Sequence, residues 1–172
     1  MELLASNRLE DLLRRDVDLA VRMTRPTQDA LFARKVGVIP LAFYAHRSYL
    51  QKHGEPRSIE ELRSHAVIGF DRIRPLGADL DRLGFEITAD AFGLRTDSEP
   101  TQLAMLRAAY GVGVCQPQIA GRDPNLVAIL PGQFAVDMEV WVVMHEDLKT
   151  DRRMRLLFDH LVAGLKSYVA MA

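Results

Sequence analysis

Residues 91–120 read AFGLRTDSEPTQLAMLRAAYGVGVCQPQIA, and the fold class follows from this stretch. Ala91 to Thr96 has the character of a short strand. Asp97 and Ser98 are residue types favoured at helix N-caps, and Pro100 suits a first turn, where its missing N–H costs little. Leu103, Leu106 and Tyr110 recur at i, i+3 and i+7, which predicts one apolar helical face. Gly111 is placed to end that helix in a left-handed turn. Val112 to Cys115 reads as a compact apolar strand, stopped by Pro117. The unit is strand, helix, strand, with small polar residues where the first strand turns into the helix. In an open parallel sheet such a turn opens on the carboxyl edge of the strands, where these folds bind small ligands. The N–H groups of the first helical turn point into it. Thr96, Asp97 and Ser98 are therefore the first candidate wall of a site.

Upstream, Glu2 to Ser6 reads as a strand, and Leu9, Leu12 and Leu13 have helical spacing behind a cap at Asn7. Val17 to Arg22 is a second strand, so residues 2–22 read as one β-α-β crossover. Met23 to Asp29 is a polar loop at that strand's carboxyl end. Leu31 to His46 is extended, interrupted by Pro40. Ser48 to Gly54 is a short helix, and Ser58 and Glu61 have the spacing of a capping box that opens a helix to about His65. Ala66 to Phe70 reads as a buried strand, residues 71–83 as a loop, and Phe85 to Thr88 as a strand.

Downstream, Asn125 to Leu130 is a strand ended by Pro131-Gly132, and Asp137 to His145 is the most strand-like run in the chain. The last element is a helix from about Asp151. Its Met154, Leu157, Phe158, Leu161, Val162, Leu165, Tyr168 and Val169 keep one apolar stripe. Alternating strands and helices predict an α/β class with a largely parallel sheet.

Composition narrows the function. At 172 residues the chain suits one large domain or two small lobes with a real core. Twenty-two Lys and Arg against 23 Asp and Glu give a net charge of −1, which argues against this chain gripping nucleic acid itself. No apolar run approaches the ~20 residues that span a bilayer. MELLASNRLEDLLRRD puts acids and arginines where a signal peptide needs an apolar stretch, so a cytoplasmic protein is expected. One cysteine excludes an internal disulfide framework.

The order of segments is itself informative. RLEDLLRRDVDLAVRM (8–23), YAHRSYLQKHGEPRSIEELRSHAVIGF (44–70), RTDSEPTQLAMLRAAYGVGVCQP (95–117) and VWVVMHEDLKTDRRMRLLFDHL (140–161) together resemble the effector-binding domain of LysR-type transcriptional regulators. The resemblance runs over nearly the whole chain. It is most specific at 49–62, the Tyr-Leu…His-Gly-x-Pro-Arg-Ser…Glu-Leu stretch.

It implies two Rossmann-like α/β lobes joined by two crossover strands, as in periplasmic binding proteins of type 2. Lobe I would be residues 1–40 and 137–172, and lobe II residues 41–136. Lobe I would be incomplete, lacking a first strand and helix of about 25 residues. The implied function is sensing of a small-molecule effector in the cleft between the lobes, without catalysis. DNA would be contacted only through a helix-turn-helix for which this sequence has no counterpart. A homodimer, lobe I of one copy against lobe II of the other, is also implied. The competing reading is a stand-alone small-molecule binding protein or enzyme on the same bilobal plan, since fold does not fix function.

Each candidate residue has a plainer reading beside the functional one. Thr96, Asp97 and Ser98 either meet a ligand or merely cap a helix. Asp97 at the positive end of a helix dipole would repel an anion, with Arg95 on the same strand face to offset it. The resemblance places Arg22, Met23 and Thr24 on the opposite wall of the cleft; the alternative is a solvated loop. Gly69 and Phe70 end a lobe II strand, where Phe70 is either core or a cleft aromatic. Gln116 is polar directly after an apolar strand, in the family's inter-lobe region.

Other features read as structural. Cys115 sits in the apolar GVGVC and reads as a small buried hydrophobe; the family's peroxide-sensing branch works with a cysteine pair. Gly111 and Gly113 follow a helix, where a dinucleotide loop must precede one. The five histidines, 46, 53, 65, 145 and 160, form no ligand spacing, and neither metal nor cofactor is expected. No Gly-x-Ser-x-Gly is present. Arg152, Arg153 and Arg155 read as the exposed face of the last helix.

Overall fold

A computed structural model describes residues 2–5, 17–71, 92–134 and 136–171. The chain divides into two compact units, Met1–Ile39 with Asp137–Ala172, and Pro40–Val136.

In the first unit, β1 (Leu19–Arg22) runs antiparallel to β7 (Val136–His145), with Leu19 opposite Met144 and Arg22 opposite Trp141. The first half of β2 (Leu31–His46) follows β7 in the sheet order. The long helix α4 (Arg152–Val169) starts on Asp151, whose carboxylate accepts the N–H groups of Arg153 and Met154 at 2.8 and 3.0 Å. Those two hydrogen bonds hold its carboxyl below the usual range. The expected stripe is the one that packs. Phe158 and Val162 are buried against Val142 and Met144 of β7, with Leu19, Phe32 and Leu161 around them.

In the second unit, β3 (Val67–Gly69) pairs in parallel with both β4 (Leu94–Arg95) and β5 (Val112–Cys115). The second half of β2 runs antiparallel to β5 on one side and to β6 (Leu126–Ile129) on the other. The strands β4, β3, β5 and β6 therefore share one direction and β2 opposes them. Helix α2 (Glu99–Arg107) and the short α3 (Pro117–Ala120) complete a core of Tyr44, Ile68, Leu106, Ala120 and Leu126.

Helix α1 (Arg47–His53) is capped by His46, whose Nδ1 accepts the Ser48 N–H at 3.1 Å, and it ends on Gly54 at φ 84°. Its buried Tyr49 accepts the Ala66 N–H through the hydroxyl at 2.9 Å, and the same hydroxyl lies 3.2 Å from His65 Nδ1. This tie sets where β3 begins. Tyr49→Phe leaves a part-buried N–H unpartnered and is expected to cost about 1–2 kcal/mol in urea unfolding. An unchanged midpoint would mean that the hydroxyl contributes nothing to placing β3.

Several sequence expectations are corrected. The sheet is mixed, because β7 runs antiparallel to β1, and β2 runs antiparallel to β5 and β6. Residues 2–5 form no strand, and Leu3 and Leu4 are exposed; the described partner of β1 is β7. The helix expected near Leu9–Leu13, the loop beyond Asp71 and the strand at 85–88 lie outside the described residues. Pro40 does not interrupt β2, which is continuous over 16 residues. A proline is tolerated in a strand where no ladder bond needs its nitrogen, and the β5 and β6 pairings begin beyond it.

The Ser58 capping box does not form. The segment Glu60–Ser64 is a 3-10 turn with Ile59 at its cap, and Glu61 reaches back to the Arg57 N–H at 2.8 Å. The first strand of the 91–120 unit shrinks to Leu94–Arg95. Its helix closes one turn earlier than read. Ala109 takes the left-handed conformation at φ 58°, with Tyr110 N–H bonded to Met105 O and Ala109 N–H to Leu106 O. That is the paired closure of a Schellman turn, built here without glycine. Tyr110 consequently leaves the helical face, is exposed, and donates its hydroxyl to Gly93 O at 2.7 Å. Gly111 is required for another reason: a Cβ there would lie 2.0 Å from the Ala66 carbonyl oxygen. Pro117 stops β5 and also opens α3. Between β7 and α4 the chain takes a 3-10 turn, Glu146–Thr150.

Candidate functional site

The parallel trio β4, β3 and β5 has its carboxyl ends on one edge, and six of the sequence candidates gather there. Gly69 ends β3 and its carbonyl accepts the Thr96 N–H at 2.9 Å, which extends the β3–β4 pairing into the turn. Phe70 follows, half-buried. Thr96, Asp97 and Ser98 form the turn into α2. Gln116 follows β5 at the N-cap of α3, its backbone carbonyl accepting from Ile119 and Ala120. Parallel pairing makes this an edge where carbonyls and helix N-termini meet, as ligand edges of open α/β sheets do.

The turn itself is closely stitched. Ser98 is the N-cap of α2, its Oγ accepting the Thr101 N–H at 3.3 Å and the Thr101 hydroxyl at 2.9 Å. Thr96 Oγ1 accepts the Ser98 N–H at 3.2 Å, and Gln102 Nε2 donates to Thr96 O at 2.8 Å. The capping reading of Ser98 is thus realised, and the hydroxyls of Thr96 and Ser98 are oriented by the turn. Arg95 faces Asp71 at 3.9 Å, both exposed, so its charge is drawn toward that carboxylate beside the edge.

Gly69 and Phe92 make one more feature of this edge. A Cβ on Gly69 would fall 2.1 Å from the Phe92 ring, so the ring lies directly over the glycine. Sequence reasoning missed Phe92, since nothing local announces that it crosses β3. Cys115, beside Gln116, is half-buried, and burial pushes its thiol above the ordinary value while backbone N–H groups and Arg107 pull it down less. Such a thiol is a packing group, as the apolar GVGVC suggests.

Arg22, Met23 and Thr24 belong to the first unit. Arg22 ends β1, half-buried, with Met23 and Thr24 exposed just beyond it. Opposite Arg22 stands Trp141, whose indole N–H donates to Glu139 Oε2 at 2.9 Å. Glu139 is ion-paired with Lys35, and its carboxyl is held below the usual range by those two hydrogen bonds. Arg25 lies over the indole, 6.0 Å from the ring centroid. The alternation in Glu139-Val140-Trp141 foretells a shared face; the arginines across from it become visible only with the β1–β7 pairing.

A separate open depression of about 400 Å³ in the second unit is lined by Glu55, Pro56, Arg57, Leu130, Pro131 and Gln133. It shares no residue with the carboxyl-edge group, and Gln133 already donates to Arg57 O at 3.0 Å across it. Among the described residues no group of three or more His, Cys, Asp or Glu side chains is placed to hold a metal ion. No helix there is long and apolar enough to cross a membrane.

This architecture has known counterparts. The profile of the family described as LysR substrate binding domain matches residues 1–166. The HTH-type transcriptional regulator CrgA of Neisseria meningitidis serogroup C (strain 8013) is 36% identical over 171 residues, covering 96% of this chain and 57% of that protein. YhjC of Escherichia coli (strain K12), an uncharacterized HTH-type transcriptional regulator, is 26% identical over 177 residues, covering 98% of this chain and 59% of that protein. The solved regulatory domain of CrgA from Neisseria meningitidis superposes with a TM-score of 0.82 at 26% identity, covering 93% of this chain and 81% of that one. The chain thus spans less than two thirds of the length of these two regulators. Domains of this kind have the bilobal fold of type 2 periplasmic binding proteins, and the mixed α/β sheet matches theirs. The chain belongs to the LysR substrate binding domain family.

Proposed function

We propose that this chain is the effector-binding regulatory part of a LysR-type transcriptional regulator in the cytoplasm, acting by binding a small molecule and not by catalysis. The observation that carries the reading is the gathering of Thr96, Asp97, Ser98, Gly69, Phe70 and Gln116 at one carboxyl edge of a domain of this family. In this reading residues 41–136 form lobe II and contribute that edge. Residues 1–40 and 137–172 form lobe I and contribute Arg22, Met23 and Thr24. The effector shifts the equilibrium between two arrangements by its difference in affinity for them, and that difference is all the energy the switch has. DNA is bound by a helix-turn-helix outside this sequence, and the working form is a homodimer. The curated relatives are transcriptional regulators, which favours this reading over an enzyme on the same plan.

The test uses a small molecule found by its effect on the melting temperature of the chain. Ser98→Ala removes the cap and is expected to cost about 1 kcal/mol of stability in any case. If Ser98 also contacts the effector, calorimetric affinity falls about fivefold or more, the loss of one neutral hydrogen bond. Asp97→Asn leaves the Ser98 cap in place and removes the charge, so an anionic effector binds more tightly and a cationic one less. Stability lost with affinity of the folded protein unchanged in both variants would reduce the turn to a cap and overturn this site.

A further inference from the structure

The open depression of the second unit lies between the loop after α1, Glu55-Pro56-Arg57, and the turn after β6, which supplies Leu130, Pro131 and Gln133. Both sides are fixed. The Arg57 N–H donates to Glu61 Oε2 at 2.8 Å, and the Arg57 carbonyl accepts Gln133 Nε2 at 3.0 Å. The main chain of Arg57 is therefore held at both of its polar groups. Pro56 is buried, and Leu130, 3% exposed, is kept at φ 52°. A residue with a side chain takes that left-handed backbone only where its surroundings impose it, and such positions gather at ligand clamps.

The charges on this frame are uncommitted. A residue before proline favours extended backbone, and residues two apart in an extended stretch face the same side. Glu55 and Arg57 accordingly both line the depression, and both are exposed. Among the described residues neither side chain has an ion-pair partner, and they do not pair with each other. A free guanidinium and a free carboxylate thus stand apart on one side of a space of about 400 Å³, with Pro56, Leu130 and Pro131 as its apolar lining. A guanidinium matches a carboxylate with two parallel hydrogen bonds, and a carboxylate answers an ammonium group. The two poles of a zwitterion satisfy both, and an aliphatic side chain suits the prolines and the leucine.

We propose that this depression binds a small zwitterion with an aliphatic side chain, an α-amino acid, with its carboxylate on Arg57 and its ammonium on Glu55. The site shares no residue with the carboxyl-edge group and does not rest on the regulatory reading.

The probe is L-leucine, compared at constant ionic strength with leucinamide, which lacks the carboxylate, and N-acetyl-leucine, which lacks the ammonium. Backbone amide resonances of the whole chain are followed by NMR. Saturable shifts are expected with leucine at Glu55, Arg57, Leu130 and Gln133, half complete in the millimolar range because an open site buries little of its ligand. Neither analogue should reproduce them. Arg57→Gln and Glu55→Gln are each expected to weaken leucine about fivefold or more, as for a charge-assisted contact discounted for exposure. Unshifted resonances in the rest of each variant show that its fold is kept.

Equal shifts with leucine and both analogues, no saturable shift at tens of millimolar, or unchanged affinity in the two variants would each overturn the site. Leucine shifts confined to Thr96, Asp97 and Ser98 would overturn it too, while supporting the carboxyl edge. Shifts at Glu55, Arg57, Leu130 and Gln133 that vanish in Arg57→Gln support the site and leave the regulatory reading to its own test.

Discussion

Replacing Phe158 with alanine is expected to destabilise the first unit by about 3–5 kcal/mol, the usual cost of deleting a buried aromatic side chain. Phe158 is 0% exposed in the middle of α4. Its ring meets Phe32 of β2 at 5.1 Å between centroids and packs with Val142 and Met144 of β7. Arg34 lies over it at 5.7 Å, so the ring also carries part of an exposed cation. The walls of the resulting cavity are side chains fixed on the sheet and on α4, which can close in only as far as those elements allow, and the cavity contribution therefore remains. Urea unfolding followed through Trp141, which reports on this unit, measures the loss. Amide exchange in β1 and β7 should quicken with it. Phe158→Leu should recover part of the stability by refilling volume. A midpoint within about 1 kcal/mol of the parent would mean that α4 does not dock on this sheet through Phe158.

Gly111→Ala is expected to cost about 3 kcal/mol or more, at the upper end for overpacking. The added methyl would meet the Ala66 oxygen at 2.0 Å and its carbonyl carbon at 2.9 Å. Both are backbone atoms, so no side chain can rotate away. The same Ala66 oxygen accepts the Val112 N–H at 2.8 Å, the bond that starts the β3–β5 ladder. Relief requires β3 and β5 to part where they are tied, and the carboxyl-edge group at their far ends would move with them. Gly164→Ala makes the contrasting case. Nothing lies within 4 Å of a Cβ there, and the residue is exposed in α4. Alanine should stabilise it by about 0.5–1 kcal/mol through helix propensity. Thermal unfolding of the two variants side by side reads opposite signs. A Gly111→Ala loss below 1 kcal/mol would show that β3 and β5 do not approach as closely as described.

Short-range rules made several elements legible in the residues alone. The period of α4, its start on Asp151, the Ser98 cap with Pro100 behind it, and the Gly54 stop all follow from which groups a helix leaves unpaired and which face it must bury. The LysR resemblance and the candidate edge at Thr96, Asp97 and Ser98 were legible for the same reason, because cap residues and strand ends are local.

Pairing is not local. Lys35 and Glu139 stand 104 residues apart, and only the folded sheet brings them together. Which strand lies beside which decided that β7 runs antiparallel to β1 and β2 to β5 and β6, that Pro40 passes through a continuous strand, and that Arg22 faces Trp141. Gly111 shows the same division within one residue. Its position after a helix suggested a left-handed cap, yet Ala109 takes that conformation, and the glycine is needed because the Ala66 carbonyl of another strand leaves no room for a Cβ. Local pattern sets what each segment is able to be. The steric and hydrogen-bonding demands of distant neighbours decide which of those roles it takes.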